Sequence, residues 1–179
     1  MTLQDACLAA AADLRAAGPR LVQTEAQTLL ALATLRVQND GLSGRHYSSN
    51  PVPVFFFTNK ALNAGGRDYI KQQQKVKGKQ KGLGTWAGLR AAEGLPTDNV
   101  NLTHSGRMFR SLATIYSGFS GNIYTASIVS SDRESAKVVQ YNIERYGNFL
   151  APTPSETAEA TTVTNQEVTS ILGAYFKVN

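Results

Sequence analysis

The residues most able to do chemistry are basic. Lys71, Lys75, Lys77, Lys79 and Lys81 lie within a single short stretch. From Lys60 to Arg90 there are eight basic residues against one acid, Asp68: a local charge of +7 in a chain of net +5, leaving −2 for the remainder. Such a run contacts phosphates or an acidic partner through counterion release, or it is a solvated face. No aromatic residue interleaves with these lysines, which weakens a dedicated nucleic-acid-binding reading, because single-strand binders stack bases on aromatics. The glycines at 78, 82, 84 and 88 do not give the Gly-x-x-x-x-Gly-Lys-Ser/Thr spacing, and no hydrophobic strand feeds them. A nucleotide-phosphate loop is therefore rejected.

Catalytic material is thin. His104 and Ser105 are adjacent, and neighbouring helical residues point about 100° apart, so they do not make a nucleophile–base pair. His46 stands alone in a glycine-rich stretch. Cys7 is the one cysteine, which excludes a disulfide framework and a multi-thiolate metal site; on an alanine-rich helix it reads as a small buried hydrophobe. Asp132, Glu134, Glu144, Glu156 and Glu159 show no convergent spacing. Asn101-Leu102-Thr103 fits the glycosylation triplet by coincidence. The expectation is a protein with no enzymatic site, no cofactor and no metal.

What remains is assembly chemistry. Phe55, Phe56, Phe57, Tyr146, Phe149, Tyr175 and Phe176 stand in or beside extended, proline-marked or terminal segments. Aromatics in such places supply contacts to partner chains, and these seven are expected at a subunit interface.

The elements that position these residues follow from periodicity. Leu3, Cys7, Ala10 and Leu14 mark a first helix, and Gly18-Pro19 closes it and opens a second over 20–38. Pro51-Val52-Pro53-Val54 is extended. Gly65-Gly66 breaks the chain, and the lysine-rich run after it holds too little apolar surface to offset its ordering entropy. That run reads as a mobile arm. Trp86, Leu89 and Ala92 suggest a short helix back to the body. A helix over 102–112 points Met108, Phe109 and Leu112 inward. Two β-rich runs, Ala113–Tyr116 and Asn122–Ser130, are joined as a hairpin by Ser117–Gly121. Both hairpin faces carry apolar groups, so each needs a cover: the long N-terminal helix on one, a helix of this chain or a neighbouring subunit on the other. Ser135–Arg145 is helical, and Ser155 caps a last helix whose stripe is Val168, Ile171, Leu172, Tyr175 and Phe176. The fold expected is α+β: long N-terminal helices and a C-terminal helix packed on a small antiparallel sheet. It is a single domain over 1–179, with 43–94 as an extended arm or loop insertion. No apolar run approaches the ~18 residues of a membrane span.

The segment Asp98-Asn99-Val100-Asn101-Leu102-Thr103-His104-Ser105-Gly106-Arg107-Met108-Phe109-Arg110-Ser111-Leu112 resembles a Ser-Gly-x-Met/Leu motif followed by Ser-Leu/Ile. That motif belongs to tail-completion, or head–tail joining, proteins of tailed double-stranded DNA phages. The hairpin and Tyr146-Gly147-Asn148-Phe149-Leu150-Ala151-Pro152-Thr153 are similar to the same family's C-terminal part. The resemblance implies a structural virion protein that forms a homo-oligomeric ring at the neck, assembled in the bacterial cytoplasm. Its partners would be a portal or head-completion adaptor and a tail tube or tail terminator protein, with genomic DNA possible in the lumen and no membrane. The alternative is a nucleic-acid-binding module using 71–81.

Overall fold

A computed structural model describes residues 2–42, 44–58, 61–103 and 105–176. The mix of helices and two small antiparallel two-stranded sheets is α+β, as expected. The chain divides into two compact units, Met1–Leu35 with Arg107–Asn179, and Arg36–Gly106.

The first unit is built on α1 (Leu3–Asn39), one continuous helix where two were expected. Pro19 sits inside it and lacks the N–H that would bond the carbonyl of Arg15. Tyr124 supplies the missing donor, its hydroxyl reaching Arg15 O at 2.8 Å. Gly18 makes room for that ring: a Cβ there would lie 2.2 Å from Tyr124 Cζ. The Gly-Pro pair is thus a notch for a side chain rather than a helix boundary.

The tyrosine comes from a hairpin of β1 (Leu112–Ser120) and β2 (Ile123–Ser130). Its strands run further than the sequence suggested. Gly121 and Asn122 both have positive φ (57° and 65°), the signature of a two-residue type I′ turn. The register shifts between Tyr116 and Gly118, so Ser117 is the extra residue of a bulge. Gln23 Nε2 donates to Thr114 O at 3.1 Å, a second tie between hairpin and α1.

The helix expected over 102–112 is only α2 (Arg107–Arg110), because Leu112 already belongs to the sheet. Met108 and Phe109 are buried as expected. Next comes α3 (Arg133–Tyr146), capped by Asp132. The last helix, α4 (Pro154–Gly173), starts two residues earlier than Ser155 implied. Thr153 and Glu156 form a reciprocal capping box, with Pro154 in the first turn. Tyr175 and Phe176 lie beyond its end. α4 runs antiparallel to α1: Thr161 donates to Glu25 at 3.2 Å, Arg20 pairs with Glu167 at 2.6 Å, and the Tyr175 hydroxyl donates to Asp13.

Residues 43–94 belong to the second unit, which is inserted between the two segments of the first and carries helices and a core of its own where an extended arm or loop insertion was expected. It contains α5 (Ala64–Lys75) and α6 (Trp86–Ala92), a short 3₁₀ turn Val54–Phe57, and strands β3 (Val52–Pro53) and β4 (Leu83–Gly84). Val54, Phe57, Ile70 and Leu89 form its core, flanked by Val52, Leu62, Tyr69 and Trp86. The lysine run folds because one helix face suffices. Gly66 and Ile70 are buried four residues apart, while the lysines point outward. Gly65 and Gly66 open α5 instead of breaking the chain: a Cβ on Gly65 would sit 1.9 Å from Ala92 O, so only glycine allows α5 this close to α6. Asn63 caps α5, its side chain accepting from Gly66 N at 3.0 Å.

Candidate interaction surfaces

The two units carry different exposed surfaces. In the first, the hairpin is covered unevenly. Tyr124 rests on α1, and by strand alternation Ile123 points the other way, where it is 67% exposed. Ile115 shares that outer face and is also exposed; Tyr116 and Phe119, paired with Ala126 and Tyr124, lie on the other face and are exposed as well. Phe119 packs on Tyr124 at 4.6 Å, with Tyr116 at 6.4 Å, so the aromatic rings are ordered among themselves while still in water. The sheet holds only two strands among the described residues, which leaves an unpaired edge on each side. At the base of the hairpin, Leu112, Ile128, Val129, Val139, Ile143 and Leu150 line an open, largely apolar groove of about 580 Å³ against α3.

The aromatics expected at an interface separate into two groups. Phe57 is fully buried, edge-on to Trp86 at 4.9 Å, and Phe149 is buried edge-on to Phe109 at 6.3 Å. Both are core residues of their own unit, which corrects their assignment. Tyr146 is half-buried beneath the Arg145 guanidinium, 5.4 Å from its ring. Tyr175 is half-buried, and its hydroxyl proton is held by Asp13, which raises its pKa above the ordinary 10.0. Phe55, Phe56 and Phe176 remain exposed. Phe55 and Phe56 stack on each other at 4.5 Å.

The five lysines are all exposed, Lys71 and Lys75 on α5 and Lys77, Lys79 and Lys81 after its cap at Val76. Asp68 lies 3.7 Å from Lys71 Nζ. Arg90, counted in the same basic run, behaves differently: it is only 2% exposed. Its guanidinium donates to Pro96 O (2.9 Å), Thr103 O (2.6 Å) and Asn101 Oδ1 (3.0 Å) and stacks 4.1 Å over the Tyr47 ring. Burial lowers its pKa, with the Tyr47 and Glu93 charges opposing. Arg90 is an internal strut, and no sequence signal separates it from the exposed lysines except its place in the inward face of α6.

The candidate acids do not converge. Asp132 caps α3: the Ser135 hydroxyl at 2.6 Å holds its carboxyl below the ordinary 3.8 against desolvation, helped by Glu134 N–H and the Arg107 guanidinium at 2.8 Å. Glu156 is committed to its capping box. Cys7 is exposed, contrary to the buried role expected. His104 lies outside the described residues, so the His104–Ser105 pair has no geometry to report. Among the described residues, no group of three or more His, Cys, Asp or Glu is placed to hold a metal. Nor, among them, is any helix long and apolar enough to cross a membrane.

No protein-family model, curated protein or solved structure matches this chain.

Proposed function

We propose that this chain is a structural subunit of a tailed phage particle that closes into a homo-oligomeric ring at the head–tail junction. The observation that carries the reading is the hairpin. Eight of the nine residues of β1 pair with the eight of β2, yet Ile115, Tyr116, Phe119 and Ile123 stay in water and, among the described residues, both strand edges are open. An isolated two-stranded ribbon is marginal on its own, and an exposed apolar edge invites another strand. The two open edges lie on opposite sides, so pairing one edge of a copy with the opposite edge of the next is heterologous, a contact that gives a ring when its rotation closes and a filament when it does not; the ring rests on the resemblance to tail-completion proteins. The neck location rests on the resemblance of Asp98–Leu112 and Tyr146–Thr153 to tail-completion proteins. In that setting the neighbours are a portal-side adaptor and a tail tube or terminator protein.

Mass spectrometry of gradient-purified particles tests the location. The chain is expected in intact particles at a fixed, ring-like copy number well below that of the major capsid protein. Its absence from purified particles would end the neck reading.

A further inference from the structure

We propose that the second unit carries a binding surface for single-stranded nucleic acid, in which the lysines hold the phosphates and Phe55 and Phe56 stack the bases. The lysine run has no aromatics of its own; the fold supplies them from 15 to 26 residues upstream. Strand β3 pairs with β4 (Val52 with Gly84, Pro53 with Leu83), and Val54 N donates to Gly82 O at 2.9 Å. The stacked phenylalanines therefore rise from backbone bonded directly to the Lys81-Gly82 turn. Thr58 fixes that short turn, its N–H and hydroxyl both donating to Phe55 O.

The lysines are held too. Gly82 N donates to Gln73 O at 3.0 Å, so the loop carrying Lys77, Lys79 and Lys81 folds back on α5 instead of trailing free. Arg67, Lys71 and Lys75 recur every four residues along that helix, a stripe about 100° around it from buried Gly66 and Ile70, with Arg67 also donating to Leu62 O at 2.7 Å. Cationic side chains on a fixed frame lose less freedom on binding than a mobile arm.

The pairing of features selects the ligand. Lysines alone would take any polyanion, duplex included. Two stacked phenylalanine rings, 62% and 56% exposed, are left without a role on a duplex, whose base faces are already stacked. A single strand offers phosphates and free base faces together. This surface lies within the second unit and does not rest on the connector reading.

Fluorescence anisotropy of the full chain with labelled dT20, and with a 20-base-pair duplex, between 50 and 200 mM KCl tests the proposal. The chain is expected to bind dT20 more tightly than the duplex, with a log–log salt slope of about −2 to −3.5, from three to five lysine–phosphate contacts at about 0.7 each. Phe55→Ser with Phe56→Ser is expected to weaken dT20 binding about tenfold or more and leave the slope unchanged. Lys77→Gln, Lys79→Gln and Lys81→Gln together should reduce the slope by about two. All five residues are exposed, and circular dichroism melting of each variant checks that the fold is kept. Equal affinity for duplex and single strand, no binding of dT20, or full affinity after loss of both phenylalanines would each overturn it. A change in oligomeric state in the phenylalanine variant with dT20 binding intact would assign the rings to a protein contact and overturn it as well.

Discussion

Arg90 shows most clearly what one side chain can hold together. Its three donors engage two carbonyls and Asn101, and Asn101 Oδ1 also accepts from Tyr47 OH at 3.1 Å and Thr103 N at 3.1 Å. Arg90→Ala removes the donors to the Pro96 and Thr103 carbonyls and one of three on Asn101 Oδ1, so it should destabilise the second unit by about 3 kcal/mol, measured by urea unfolding. Arg90→Lys should recover little of this, because an ammonium cannot reproduce the planar fork or the ring stacking. Asp132 acts through charge instead. Its folded pKa is depressed, so its contribution is present above the ordinary value of 3.8 and is lost as pH falls through the lower folded value. Asp132→Ala should therefore melt below wild type at pH 7, and the gap should close as pH is taken below 3.8. A gap of constant size across that range would show that the carboxylate charge is not what matters. The sequence placed Arg90 among the solvated cations because composition counts charge and carries no information on burial.

Among the elements, α1 and the hairpin define one another. Glycine in a helix interior ordinarily costs about 1 kcal/mol relative to alanine, so Gly18→Ala on a free helix would stabilise. Here the added Cβ displaces the Tyr124 ring from its notch and breaks the bond to Arg15 O. The expected result is a net loss of about 1–2 kcal/mol, turning into a gain of about 1 kcal/mol when Gly18→Ala is made in a Tyr124→Ala background. Additive effects would refute the notch. The hairpin itself was legible from its β-rich runs, as were Trp86–Ala92 and the helix after Asp132, since periodicity and caps are local signals. The continuity of α1 was not legible. Gly-Pro is a stop signal unless a distant side chain supplies the lost donor, and no local pattern records Tyr124. α5 was missed for a related reason: its apolar face is Tyr69, Ile70 and a pair of glycines, too small to register against seven polar residues, yet enough once α6 and Phe57 receive it.

For the whole molecule, the decisive question is where exposed apolar surface sits: in the first unit the hairpin leaves Ile115, Tyr116, Phe119 and Ile123 in water. The charge is divided as unevenly as the apolar surface, with the basic run confined to the second unit. The interface expected from seven aromatics became a smaller set, because Phe57 and Phe149 pack within their own units, and sequence alone does not distinguish an aromatic that covers a core from one that awaits a partner. In the proposed ring, copies of the same chain cover the exposed hairpin residues and the open strand edges. Native mass spectrometry of the wild type beside a Phe119→Ser, Ile123→Ser variant tests this. The expected result is a closed species at an integral multiple, greater than two, of 19.3 kDa for the wild type and 19.3 kDa for the folded variant. A wild type that stays at 19.3 kDa up to high concentration, or a variant that assembles as well as the wild type, would contradict it.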